Sequence, residues 1–97
     1  MVKQASAALA SHLTTQHRQI DAWRAANSAT PTTPDSLANA APGLSTEKFP
    51  VEYRTDGIDY CLAGAVADVD AAMTYLSLDG GTWLPGDDRC PSGYNEL

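Results

Sequence analysis

The first part of the chain has the apolar spacing of a helix. Large apolar residues recur at intervals of four, seven and three positions in an alanine-rich segment, and Gln16 occupies the turn where one is missing. This pattern predicts a helix over residues 2–27, which ends before Pro31. Its apolar stripe, which we expect to pack on a sheet, consists of Leu9, Leu13, Ile20 and Trp23.

A short second helix is predicted over residues 34–40. Thr33 suits the N-cap, Pro34 suits the first helical position, and Asp35 places an acid in the first turn. The helix must stop before Pro42. Residues 28–48 are therefore predicted to be a connecting segment that contains this one short helix.

From residue 49 onward, apolar residues recur at every second position, as in a β-strand, instead of at the three- to four-residue spacing of a helix. Residues 51–55 and 58–62 flank Asp56-Gly57, a dipeptide typical of two-residue hairpin turns. Pairing outward from this turn places Tyr53 opposite Tyr60 and Arg54 opposite Asp59. One face of this hairpin is then apolar and can receive the helix stripe. That face consists of Val51, Tyr53, Ile58, Tyr60 and Leu62, and Cys61 points to the other face.

A second hairpin is predicted from residues 73–78 and 82–85, joined by Asp79-Gly80-Gly81. Alternation places two sets of residues on opposite faces. Leu76, Leu78 and Leu84 form one set, which we assign to the helix–sheet core, and Tyr75, Ser77 and Trp83 form the other. The sheet is thus predicted over residues 49–85, and the Pro/Gly-rich tail, residues 86–97, is predicted to be a loop.

The two cysteines, Cys61 and Cys90, lie 29 positions apart, which is not the spacing of a redox or zinc motif. In a reducing compartment both could be free. The small core of a 97-residue chain and the loop-rich tail favour a disulfide. A bond that closes a loop of about 30 residues would be worth roughly 3–4 kcal/mol in the chain-entropy model. It would hold the tail on the face of the sheet away from the helix, where it would cover Trp83.

The net charge of −6 is unevenly distributed. Residues 1–29 carry three basic residues against one acid, a balance of +2, and residues 30–97 carry three against eleven, a balance of −8. So acidic a chain lacks the basic footprint of a nucleic-acid-binding protein. The asymmetry could make neighbouring copies complementary, or it could simply keep the surface soluble by repulsion, and the sequence leaves both open.

The sequence has no recognisable catalytic motif, and we expect no enzyme and no cofactor. His12 and His17 are five positions apart, so they cannot share a metal ion on one helix face, and we interpret both as surface histidines. Acidic residues in the predicted loops are weak candidates for calcium ligands, although aspartate is also common in turns. These candidates are Asp68, Asp70, Asp79, Asp87 and Asp88. We therefore predict no metal, with calcium as the alternative.

The order of these elements resembles that of the type IV pilin and type II secretion pseudopilin family, in its Gram-positive or actinobacterial form. The resemblance rests on the basic, alanine-rich helix and on three short segments that follow it. They are Pro34-Asp35-Ser36-Leu37, Asp59-Tyr60-Cys61-Leu62-Ala63 and Thr74-Tyr75-Leu76-Ser77-Leu78-Asp79-Gly80-Gly81. It implies an α+β fold, with a long N-terminal helix on an antiparallel sheet of three or four strands and an outward-facing C-terminal loop closed by a disulfide.

The resemblance implies that residues 1–97 form the single globular domain of a non-enzymatic filament subunit at the cell surface. Its partners would be other copies or related pilins, and the full-length form would be membrane-anchored before assembly. The family's leader-peptidase site, hydrophobic segment and early glutamate do not appear, and the first helix has no capping sequence, so we expect that the anchor has been removed. The alternative is a small secreted, disulfide-stabilised binding module outside any filament.

Overall fold

The protein is a helix packed on a four-stranded sheet. The computed structural model describes residues 2–87 and 89–97, without the side chains of residues 2–4 and 79. The elements are α1 (Val2–Asn27), α2 (Pro34–Ala40), β1 (Val51–Thr55), β2 (Tyr60–Ala65), β3 (Ala72–Leu76), a 3₁₀ turn (Leu78–Gly80) and β4 (Thr82–Pro85). The strands form one antiparallel sheet in the order β1-β2-β3-β4, and α1 contacts its two central strands. The predicted α+β class and both helices are confirmed.

Helix α1 packs on the sheet through the predicted stripe. Leu9, Leu13 and Ile20 are fully buried, whereas Trp23 is only partly buried at the edge of the core. Alanine favours the helix locally, and the stripe fixes which side meets the sheet. Gly64 of β2 lies directly beneath it, because a Cβ atom there would lie 3.1 Å from Leu9 Cδ1. This glycine allows the helix to approach the sheet closely.

Helix α2 begins where its capping sequence predicts. The Thr33 side chain accepts a hydrogen bond from the Ser36 amide (3.1 Å), and the Ser36 hydroxyl oxygen accepts one from the Thr33 amide (3.1 Å). This reciprocal capping satisfies amide groups that an isolated helix end would leave unpaired. The helix contacts α1, with Ala40 buried and Leu37 partly buried against the common core.

The register predicted for the first hairpin is wrong by two residues. Thr55 pairs with Tyr60 rather than with Ile58, because the loop has four residues instead of two. The Asp56 carboxylate accepts hydrogen bonds from the Ile58 amide (2.9 Å) and the Asp59 amide (2.7 Å), which stabilises the longer loop. A shift of two preserves the alternation, so Cys61 still points away from the helix.

Three residue assignments fail with this register. Tyr53 pairs with Leu62 rather than with Tyr60. Ile58, which we predicted in the core, lies on the loop and is 74% exposed. Asp59 precedes β2, so it is not opposite Arg54, whose guanidinium instead contacts Glu52 (2.9 Å) and Glu96 (3.2 Å). The Asp-Gly dipeptide indicated the turn correctly but not its length.

The second hairpin presents the opposite face to α1 from the one predicted. Tyr75 pairs with Trp83, as alternation requires, but the Tyr75 ring stacks on His17 of α1 at a centroid distance of 4.2 Å. The predicted leucines therefore do not belong to the helix–sheet core: Leu76 and Leu84 lie on the outer face, and Leu78, in the 3₁₀ turn, is 44% exposed. Alternation within a hairpin fixes which residues share a face, but pairing with β2 decides which face meets the helix.

The predicted disulfide is confirmed between Cys61 and Cys90, with Cα atoms 5.9 Å apart. It holds the tail on the outer face, where Thr74 is fully buried and its hydroxyl donates to the Asp87 carbonyl (2.8 Å). Leu76, directly opposite Cys61, is also buried. The prediction that the tail covers Trp83 is wrong, because Trp83 lies on the helix side of the sheet beside Tyr75.

Candidate functional site

The solvent-facing side of α1 is composed mainly of small residues. Ala7, Ser11, Thr15, Ala22 and Ala26 are all exposed, and they lie within an arc of about 100° at 3.6 residues per turn. We call these five residues the small-residue face. Arg18 is the single charged residue among the exposed positions of α1 whose side chains the structure describes. The solvent side of an amphipathic helix usually carries many charges, so this composition is unusual for a helix that stays in water.

A polar network fixes the orientation of α1 on the sheet, and therefore the direction of the small-residue face. The buried Tyr60 hydroxyl donates to Asp21 Oδ1 (2.8 Å), and Arg24 Nη1 donates to the same oxygen (3.3 Å). Burial, reinforced by the Asp21 carboxylate, raises the pKa of Tyr60 above its usual range, so the hydroxyl keeps its proton. The Arg24 guanidinium also lies over the Tyr60 ring at 5.3 Å and donates to the Ile58 carbonyl (3.1 Å).

The two histidines are not surface residues, contrary to the sequence-based interpretation. His12 Nε2 donates to the Leu44 carbonyl (2.8 Å), and its ring stacks on Phe49. His17 Nδ1 lies 3.2 Å from Asp21 Oδ2, and its ring stacks on Tyr75. Both histidines lie directly beside the apolar stripe of α1, one on each side. This position is visible in the sequence and could have indicated that their rings contact the rest of the fold.

An open groove of about 580 Å³ lies at the C-terminal end of α1. It is lined by residues of α1 and of two sheet loops, among them Arg24, Thr30, Ile58, Tyr75 and Ser77. The Thr30 hydroxyl donates to the Ile58 carbonyl (2.7 Å), and the Ser77 hydroxyl donates to Asp59 Oδ1 (3.0 Å). These polar groups are thus paired with one another, and they orient the loops that form the groove.

A smaller, apolar groove of about 340 Å³ lies between α2 and β1. We call it the edge groove, because β1 is an edge strand of the sheet. Its lining includes Leu37, Leu44, Val51 and Tyr53, together with Leu97 of the tail. The Tyr53 hydroxyl donates to the Pro31 carbonyl (2.7 Å), and burial raises its pKa to about 12. This hydrogen bond attaches β1 to the segment that leads into α2.

The acidic loop residues do not form a recognisable metal site in the part of the chain that the structure describes. Asp68 and Asp70 are exposed in the β2–β3 connection, and Asp87 is exposed in the tail. No group of three or more His, Cys, Asp or Glu residues suited to a metal ion occurs within residues 2–87 and 89–97. Asp88 and the Asp79 side chain lie outside the described part, so calcium binding stays an alternative.

The fold and its surfaces define a disulfide-linked α+β domain with a long helix on a four-stranded meander. Within the described residues, no helix is long and apolar enough to cross a membrane. Comparisons with protein-family models, with curated proteins and with solved structures gave no match.

Proposed function

We propose that this domain is a non-enzymatic structural subunit of a type IV pilus or pseudopilus-like filament at the cell surface. The observation that carries the proposal is the small-residue face of α1. Alanine, serine and threonine allow the backbones of two helices to approach closely, and burying them does not require desolvating many charges. The partners would be other copies of this chain or related subunits.

The charge distribution is consistent with contacts between copies. Arg18 lies within the arc of the small-residue face, whereas residues 30–97 carry a balance of −8. A helix from one copy could therefore place this arginine against an acidic surface of the next copy. Charge pairs across an interface mainly determine orientation and association rate.

The arrangement around α1 also supports this role. The apolar stripe and the Tyr60–Asp21–Arg24 network hold one side of the helix to the sheet, so the small-residue face has a fixed direction. The disulfide is typical of proteins that fold outside the reducing cytosol. Membrane anchoring of the subunit before assembly is part of the same proposal.

The test compares Ala22→Arg, on the small-residue face, with Asn39→Arg, at an exposed position on α2. Both variants add one positive charge at an exposed helical site. In cells that make the full-length protein, immunogold electron microscopy should find the wild type and Asn39→Arg in surface filaments. Ala22→Arg should be absent from filaments while the purified domain keeps its melting temperature. Equal labelling of filaments by both variants, or no labelling by the wild type, would contradict the proposal.

The second candidate is a secreted binding module, which the groove of about 580 Å³ near Arg24 favours. A groove of this volume is in the range of small-molecule sites. This candidate predicts that the chain is released as a monomer and that Arg24→Ala abolishes ligand binding. Labelled filaments in the experiment above would argue against it.

A further inference from the structure

The outer edge of β1 offers backbone groups for pairing. The Pro50 carbonyl accepts a hydrogen bond from the Ala65 amide (3.1 Å), so the backbone of residue 50 faces β2. In an antiparallel pair every second residue bonds to the neighbouring strand. The backbone amides and carbonyls of Val51, Tyr53 and Thr55 therefore point away from β2. The Val51 amide donates to Ser45 Oγ (3.0 Å). In the described part of the chain, the Tyr53 amide and carbonyl have no such partner. Edge strands of this kind are templates for another strand.

The tail of the same chain forms backbone hydrogen bonds with this edge at one residue. The Thr55 amide donates to the Asn95 carbonyl (3.0 Å), and the Asn95 amide donates to the Thr55 carbonyl (2.9 Å), as in an antiparallel pair. The next residue, Glu96, accepts a hydrogen bond from Arg54 (3.2 Å), and Leu97 lines the edge groove. Three consecutive residues thus make a backbone pair, an ion pair and an apolar contact.

These contacts hold the end of the tail only weakly. Asn95, Glu96 and Leu97 are all exposed, and an exposed ion pair contributes at most about 1 kcal/mol. Gly93 has a positive φ of 100° and can serve as a hinge between the disulfide and the pair with β1. The end of the tail can therefore leave β1 without opening the disulfide or the sheet.

We propose that the β1 edge and the edge groove form a strand-binding site, which residues 95–97 of a second copy fill in exchange for the same residues of the chain itself. The occupant is identified by the chain's own contacts, since Glu96 complements Arg54 and Leu97 meets the apolar groove. Exchange between two copies would be reciprocal and would create a two-fold symmetric pair. Residues 91–95 span at most about 17 Å, so only directly neighbouring copies can exchange tails. This site is separate from the small-residue face and does not depend on it.

The first experiment measures binding of a fluorescent peptide with the sequence of residues 91–97, amidated at its C-terminus. The 97-residue chain with Asn95→Pro lacks the amide that donates to Thr55, so its own tail is held less firmly on the β1 edge. Fluorescence anisotropy should show saturable binding to this variant, about tenfold or more tighter than to the wild type, whose tethered tail competes. A peptide with Glu96→Lys should bind more weakly, because it brings a positive charge to Arg54.

Either of two results would overturn the proposal. The first is the absence of saturable binding to Asn95→Pro protein whose circular dichroism and melting temperature show that it is folded. The second is equal affinity for the parent peptide and for a peptide that carries the Asn95→Pro change itself.

A crosslinking experiment tests exchange between copies even if Asn95→Pro does not fold. Chains with Thr55→Cys are mixed with chains with Asn95→Cys and oxidised under native conditions. Directly paired antiparallel residues have Cα atoms about 5.5 Å apart, which a disulfide can bridge. Mixed dimers should clearly exceed the statistical proportion of two mixed dimers to one of each homodimer. A control mixture of Asn39→Cys and Asn95→Cys should give the statistical proportion, and the same result for the test mixture would exclude tail exchange.

Discussion

The two faces of the sheet are covered in different ways. On the helix side, α1 contributes a stripe of fully buried side chains and a network around Tyr60 and Asp21, so the attachment is distributed over many contacts. On the outer side, a tail without regular structure is attached by one disulfide and a few hydrogen bonds. A small domain can therefore protect a two-sided sheet with only one packed layer when a covalent bond replaces the second.

Among the changes that test this comparison, loss of the disulfide should lower the free energy of unfolding most. Replacing both Cys61 and Cys90 with alanine should lower the free energy of unfolding by about 3–4 kcal/mol, because the unfolded chain regains the freedom of a 29-residue loop. Urea unfolding of the variant and the wild type measures the difference. Reducing agent should destabilise the wild type and leave the variant unchanged. Thiol labelling of native, unreduced wild type should modify neither cysteine, and labelling of both would contradict the bond.

On the helix side, Leu13→Ala should lower the free energy of unfolding by about 3 kcal/mol. Leu13 is fully buried above Gly64, so the change removes apolar contacts and leaves a cavity. The control is Ile58→Ala, which removes an exposed side chain and should change stability by less than about 0.5 kcal/mol. If Ile58→Ala were the more destabilising of the two, the four-residue loop of the first hairpin would be wrong.

Alkaline pH should weaken the attachment of β1 to the segment before α2. The pKa of Tyr53 is raised to about 12, whereas an unfolded tyrosine titrates near its ordinary value of about 10. Between these values the unfolded chain loses its proton and the folded protein keeps it, so stability is full below pH 10 and falls as the pH rises toward 12. The part of the loss that is due to Tyr53 should reach about 2 kcal/mol. Unfolding measured at several pH values should show a smaller loss for Tyr53→Phe than for the wild type.

The smallest predicted effect is a gain in stability from Gln16→Leu. Gln16 is buried in the apolar stripe, and its Oε1 atom has no hydrogen-bond partner among the described residues. Replacing it with leucine should raise the free energy of unfolding by about 1 kcal/mol, because a buried unpaired polar group is removed. A rise in the urea midpoint without a change in slope would agree with this expectation. A loss of stability would indicate that the amide has a partner in solution.

The sequence predicted those features that depend on local signals. The apolar spacing of α1 and the cap at Thr33 identified both helices, and alternation identified which residues of each hairpin share a face. The loop length at Asp56 could not be predicted, because an Asp-Gly dipeptide suits loops of two or four residues and the Asp56 side chain selected the longer one. The orientation of the second hairpin depended on how β3 pairs with β2, which alternation within the hairpin does not determine.

The candidate surfaces were predictable to different extents. The small-residue face is visible in the sequence, but the same alanines also favour helix formation, so composition alone does not distinguish an interface from local propensity. The edge groove could not be predicted, because it combines α2, β1 and the tail, which meet only in the folded chain. The pair between Thr55 and Asn95 likewise joins residues that are distant in sequence.

The position of Cys61 in a central strand has a mechanical consequence. When the molecule is stretched, tension that enters through Cys90 passes directly into β2 and bypasses β3 and β4. While the disulfide is intact, the 28 residues between the cysteines cannot be stretched, so the fully extended molecule is about 100 Å shorter than it would be without the bond. Oxidised and reduced molecules should therefore differ by this length when pulled to full extension, because β3 and β4 can be stretched between the cysteines only after reduction.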